Sequence, residues 1–374
     1  MAAISLPPGF QFEAVQFSGS TPAPSEPVQL GVLTNFNGSF TGTGFNTIFR
    51  PNSGPPNTTT FPSDNILELN LINDSITFSG DLGAVPNRGL ASQNDIYLNG
   101  ISYVQAVNDV TNEKTGKADG SPTGIHFEAG LWMNVPSTNN TPVLGESLVR
   151  MASIPHGTTI NAQCLEPTSN FSGPPDIPPA SLLPFPAVGG PPLMLDSLNA
   201  SDLSKFIAAG TITQEMLNDP NTVLRNAIEG QNIIQTTTFT VATAPLPPVF
   251  GGGTANIAFL EGNPAVTTPN ANAIQMNATF WIETVQYKLK VPTFKRGQAP
   301  IKLYPASRGH HPGPVFVVNP PHDITAPRTI TVNSIQIQYS QVVNLVFDQL
   351  VWPHYSVSTL TPSEPVTVPD SVWN

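Results

Sequence analysis

The sequence predicts an all-β protein, an antiparallel meander barrel with a small helical insertion. Three observations predict it. Apolar and polar residues alternate at period 2 in about eight to ten segments. Helix signals are confined to one stretch in the middle of the chain. No alternation of strands and helices marks a parallel sheet. A meander that closes on itself removes its edge strands, so one barrel is the economical solution. Two smaller barrels would satisfy the same pattern.

Residues 1–28 are Pro-rich and without period, which suits an arm over the surface. The first half of the barrel is expected over 29–165. In "FNGSFTGTGFNTIFRP" (36–51), glycines at 38, 42 and 44 suit a strand that bends at a barrel corner. "NILELNLINDSITFSG" alternates at Leu67, Leu69 and Leu71, then at Ile76 and Phe78. "NDIYLNGISYVQAVNDV" supplies further strand. "GIHFEAGLWMNVP" sets Ile125, Phe127, Leu131 and Met133 on one face and His126, Glu128 and Trp132 on the other. "SLVRMASIPHGTTINAQC" reads as a hairpin turning at Pro155, His156 and Gly157.

Residues 166–230 form a loop and helical insertion, expected to plug one barrel mouth. "SDLSKFIAAG" ends at Gly210, and "DPNTVLRNAIEG" offers Asp219 as N-cap, Pro220 at the first helical position and Gly230 beyond the end. The second half of the barrel is expected over 231–362, with a long loop at 286–330 and a tail at 363–374. Its last long alternation sets Ile335, Ile337 and Tyr339 against Gln336, Gln338 and Ser340.

Composition excludes several function classes. Charged residues make up 10% of the 374, against roughly 25% in an average domain. The net charge is −11, and the nearest thing to a basic cluster is Lys288 to Arg296, so nucleic acid is not an expected partner. A single cysteine, Cys164, excludes an intramolecular disulfide framework and a multi-cysteine metal site. No 18-residue apolar run predicts a membrane span. The N-terminus lacks the pattern of a secretory leader, so a cytoplasmic location is the expectation. Self-association into a homo-oligomer is compatible with all of this.

No phosphate loop with Lys-Ser/Thr, no G-x-S-x-G elbow and no H-E-x-x-H occurs. His126 and Glu128 could form a His–carboxylate pair that tunes a ligand or base. Their spacing fits a satisfied polar pair at a barrel mouth better. His310, His311 and His322 lie in Pro/Gly loops and read as solvated. His156 suits its turn. His354 is preceded by Trp352 and Pro353, and proline holds the backbone, so its imidazole is positioned. Haem iron needs only one such nitrogen. On the residues alone, a buried structural histidine is the better reading.

The order of short motifs resembles nitrobindin-type haem-binding β-barrels of the calycin group, relatives of the lipocalins. Gly38, Phe40, Gly42 and Gly44 match that family's opening G-x-W-x-G-x-G, with Phe in place of Trp. His126, Glu128 and Gly130, with Trp132 and Pro136 beyond, match its H-x-E-x-G-like strand. Ile337 and Tyr339, then Pro353 and His354, match its closing strand, link and iron-ligating histidine. The chain also resembles longer microbial proteins named only as haem-binding proteins, through "GTGFNTIFRP", "VPNRG", "GLWMNVP", "RMASIPHGTT", "QYSQVVNL" and "WPHYSVSTL".

The resemblance implies haem b as cofactor, with His354 as axial ligand. Phe40, Phe45, Trp352 and Tyr339 would lie against the porphyrin, with His126 as a distal group and Trp132 on the same strand face. It implies binding of nitric oxide or related oxides. It extends to peroxynitrite isomerase or weak peroxidase-like activity, without identifying an acid–base residue. Two other classes fit the residues. One is a non-haem barrel that binds an apolar small molecule such as a fatty acid or terpenoid. The other is a structural or self-assembling protein, which suits the low charge and the abundant Asn, Thr and Pro.

Overall fold

A computed structural model describes residues 29–51, 65–90, 92–139, 143–164, 168–193, 202–246, 250–262, 270–305, 313–347 and 350–373. Ten strands build one barrel: β1 (Gly38–Pro51), β2 (Asn65–Asp81), β3 (Ile96–Asp109), β4 (Thr123–Val135), β5 (Ser147–Ile154), β6 (Thr158–Cys164), β7 (Ile233–Ala242), β8 (Asn272–Val291), β9 (Arg328–Phe347) and β10 (Leu350–Pro362). Neighbours pair antiparallel in the order β6-β5-β4-β3-β2-β1-β10-β9-β8-β7, and β7 returns to β6. The closing seam is short: Val241 faces Cys164 and Ala242 faces Gln163. Beside it, Ser169–Ser172 pairs with β7 and Gly253–Asn256 pairs with β6. Those two pieces cover the strand edges that the seam leaves open.

Two glycines of β1 serve a close strand contact. A Cβ at Gly42 would stand 1.9 Å from the Thr359 carbonyl oxygen, and one at Gly44 2.0 Å from that of Val357. β1 and β10 therefore approach at a distance that only glycine allows. The hairpin at 147–164 also forms as read, with Gly157 at φ 110° in its turn.

The lumen is stoppered by a segment that no sequence pattern announced. A 3-10 turn, Gly31–Asn35, enters one end of the barrel. Leu33 is fully buried there, and the Phe36 ring stacks on Phe78 at 4.7 Å and meets Trp132 edge-on at 5.8 Å. The helical insertion, expected to be the plug, lies elsewhere. Its helices α1 (Ser204–Ala209), α2 (Gln214–Asn218) and α3 (Thr222–Ile228) cover the outer wall. Ile212, Leu217 and Leu224 pack there against Phe45, Trp281 and Val357. The reason is hydrophobic: β1, β8 and β10 carry large apolar side chains outward, and a second layer must bury them. Gly210 ends α1 in the left-handed conformation, as expected. α3 starts at Thr222 rather than Pro220, with Asn221 at its cap. The Asp219 carboxylate instead takes the backbone N–H groups of Ala180 and Asn221, at 2.9 and 3.1 Å.

β8 and β9 run 20 residues each, and their far ends carry a third cluster. Leu289, Val291, Ile330 and Val332 pack there with Phe316, Val318 and Trp373. The stretch read as a long loop at 286–330 contains the short strands Ile301–Leu303 and Phe316–Val318. In the stretch read as a tail, Val366 pairs parallel to Phe316. The Pro-rich arm at 1–28 and the His310–His311 pair lie outside the described residues.

One buried group on the outer wall makes stability depend on pH. Glu283 on β8 is fully buried; its Oε2 accepts from Gln336 Nε2 at 2.5 Å, and its Oε1 has no partner. Burial pushes its carboxyl up to about 8, against the Gln336 hydrogen bond. The unfolded chain releases this proton near the ordinary carboxylate value, so stability is full below that value and falls as pH rises toward 8. Thermal melts should lose several degrees between pH 5 and 8, and Glu283→Gln should flatten that loss.

Candidate functional site

Strand alternation decides which side chains enter the barrel. Phe40, Phe78, Tyr103, Trp132, Phe239, Phe280 and Tyr339 all belong to the lumen cluster, packed around Leu33 and Phe36 of the plug. Phe239 and Phe280 stack at 5.5 Å, and Trp132 stands edge-on to Phe280 at 5.2 Å. The void left among these rings is about 10 Å³, no more than one water's worth.

Two hydrogen-bonded carboxylates sit within this apolar filling. In the first group, Arg150 Nη2 donates to Glu128 Oε1 at 2.7 Å, and Nη1 donates to Gln341 Oε1 at 2.7 Å. The Tyr103 hydroxyl donates to Glu128 and accepts from Arg150 Nε. The guanidinium also lies 5.7 Å from the ring centroids of Tyr103, Trp132 and Phe280. Burial alone would raise the Glu128 carboxyl, but Arg150 and then His126 bring it down to about 2. In the second group, Tyr339 donates to Asp74 Oδ2 at 2.6 Å, and Gln105 Nε2 reaches both Asp74 oxygens at 3.1 Å. Here burial wins and raises the Asp74 carboxyl, because no cation answers it at contact distance.

The barrel end away from the plug gathers three histidines. His126 Nε2 is 3.3 Å from Glu128 Oε2, and its ring centroid is 5.6 Å from that of His156. His354 stands on the lumen parity of β10, with Leu360, and its Nε2 meets Asn46 Nδ2 at 2.7 Å. With the amide donating, the ring proton sits on Nδ1. Asn46 Nδ2 also donates to Ser356 Oγ at 2.7 Å, and Asn46 Oδ1 accepts from Asn70. Burial, and then the charges of His126 and His156, push His354 down to about 3. Burial followed by His126 also lowers His156. His354 is therefore a neutral imidazole near pH 7.

The residues singled out from sequence thus fall in three places. Phe40, Trp132 and Tyr339 are lumen filling. His126 and His354 share the histidine mouth. Phe45 and Trp352, expected against a porphyrin, pack instead in the cluster that the helical insertion covers, and Phe45 stands on the β1 parity opposite to Phe40. Sequence reading missed Arg150, Asp74, Gln105 and Gln341. A signal for the first two was available. Arg150 shares the parity of Leu148 and Ala152, and Asp74 that of Ile76 and Phe78. A charge on the apolar parity of a strand in so uncharged a chain marks a buried pair.

A second opening lies at the plug end, beside the seam. It is a cleft of about 340 Å³. Val32, Ile282 and Ile335 are its apolar side, continuous with the lumen cluster. Asn170, Gln235, Thr237 and Thr284 are among its polar side. Among the described residues, no group of three or more His, Cys, Asp or Glu is placed to hold a metal ion. No helix there is long and apolar enough to cross a membrane.

A closed antiparallel barrel with short helical additions is of the general calycin and lipocalin type. No family model and no curated protein matches the chain. Among solved structures it is similar to Rv2717c from M. tuberculosis, with 11% identity, 92% of this chain and 99% of that chain covered, and a TM-score of 0.33.

Proposed function

We propose that this protein is a binding barrel for a small molecule, part apolar and part polar, held at the plug-end cleft rather than deep in the lumen. The size of the cleft carries this reading. Small-ligand sites span roughly 300–1,000 Å³ and occur at barrel mouths. At about 340 Å³ the cleft falls within that range, and the lumen void of about 10 Å³ does not. The test is mass spectrometry of an organic extract of the purified protein. A stoichiometric small apolar compound is expected; an extract holding none, with no apolar compound raising the melting temperature, would end this reading.

One observation favours haem as a second reading: His354 faces inward at a mouth and is held neutral, the form that ligates iron. The described lumen does not fit a porphyrin, so haem would have to lie at the histidine mouth, with His354 as its protein nitrogen and His126 beside it. Added haemin would then give a Soret band that His354→Ala abolishes. An unchanged band in that variant removes His354 from the reading.

A further inference from the structure

The geometry points to a selective site at the plug end: its ligand is a compact, uncharged apolar molecule bearing hydroxyl groups, such as a cyclic terpenoid alcohol, and not a fatty acid. This rests on the small-molecule reading above and narrows it.

Length is the first argument. An extended acyl chain needs a tunnel, and the space behind the cleft is closed. Leu33 and Phe36 of the plug fill it, and about 10 Å³ remains beyond them. A ligand of the cleft must end where the plug begins. A ring system meets that limit and a long chain does not.

Charge is the second. The polar groups around the cleft are amides and hydroxyls: Asn35, Thr168, Asn170, Gln235, Thr237 and Thr284. Among the described residues, no lysine, arginine or histidine lines it. The buried cation of the lumen, Arg150, is already matched by Glu128. At the same barrel end, Asn134 beside the plug donates to the Glu146 carboxylate at 2.7 Å. The whole chain carries a net charge of −11. A carboxylate entering here loses water and finds no counter-charge, which is unfavourable. A hydroxyl finds donors and acceptors of its own kind.

Shape is the third. Thr237 and Asn170 hydrogen-bond to each other across the β7 edge, so that wall is fixed before a ligand arrives. Ile282 is buried, and Val32 and Ile335 pack against the lumen cluster. The apolar side is therefore equally preset. A preset cleft favours a rigid frame over a flexible chain, because less freedom is lost on binding.

The test uses three probes on one frame: perillyl alcohol, perillic acid and methyl perillate, titrated into the full chain at pH 7 by calorimetry. The alcohol should bind at least tenfold tighter than the ionised acid, and the neutral ester should recover most of that difference. Gln235→Lys, an exposed substitution on the cleft, should strengthen binding of the acid by tenfold or more and leave the alcohol within a few-fold. Equal binding of acid and alcohol would overturn the selectivity and leave the small-molecule reading standing. A Gln235→Lys variant that gains nothing for the acid would overturn the placement. Binding of none of the three would bring down both.

Discussion

Replacing Arg150 by methionine should cost about 3–5 kcal/mol, the penalty of leaving a buried carboxylate without its cation. The side chain is 2% exposed, and its partner Glu128 is fully buried. Methionine keeps much of the volume, so the loss reports charge rather than a cavity. Glu128 would then be released from the depressed value that Arg150 imposes, and burial would raise its carboxyl. The double variant Arg150→Met, Glu128→Gln should recover much of the stability, since a pair replaced as a unit often costs little. Chemical denaturation of the three proteins measures this. A single variant as stable as the parent would mean that the pair is solvated.

The same pair sets the acid limb of stability. In the folded chain the Arg150 guanidinium holds the Glu128 carboxyl down at about 2, below the ordinary carboxylate value it has when unfolded. Its contribution is present above the unfolded value and is lost as pH falls toward 2. The double variant should lack that part of the acid transition.

Truncating Phe36 to alanine should destabilise the chain by about 3–5 kcal/mol, the range for emptying a buried aromatic site. Phe36 is 2% exposed and touches Phe78, Trp132 and Phe239 through its ring. The neighbours are held in the walls of a closed barrel and cannot collapse into the space. An apolar void of that kind stays dry and takes benzene or xenon. Crystals under xenon pressure should show an atom beside Phe78 and Trp132 in the variant and none there in the parent. Xenon in the parent lumen would contradict the filled interior.

These two residues also show how far the sequence could be read. The strands β2, β4 and β9 were legible because apolar and polar side chains alternate along them, although the alternation did not say which face is inward. The glycines at 42 and 44 stood out in β1, but their use, a close approach to β10 rather than a bend, was not legible. The plug was not. Leu33 and Phe36 sit in a short non-periodic turn, and nothing local says that such a turn will enter a barrel. The place of the helical insertion was equally hidden. It depends on Phe45, Trp281 and Val357 facing outward, and parity was uncertain in advance.

Register is the physical reason. A single bulge reverses every side chain beyond it. The pairing shifts between Phe78 and Asp81, between Val107 and Asn108, and between Ala273 and Gln275. Those shifts reset the inward face along β2, β4 and β8, and no local pattern marks them. Arg150 was within reach, as a lone charge on an apolar parity. Its partner Glu128 had been found through His126, on the same face of β4.

In the proposed site, ligand enters at the plug end while the lumen and the histidine mouth stay as they are. Isoleucine-methyl NMR of the full chain, titrated with perillyl alcohol, tests it directly. The Ile282 and Ile335 methyls should shift with saturation, while Ile76 and Ile101 inside the lumen hold their positions. Shifts that appear first at Ile76 and Ile101, with Ile282 and Ile335 unmoved, would contradict it.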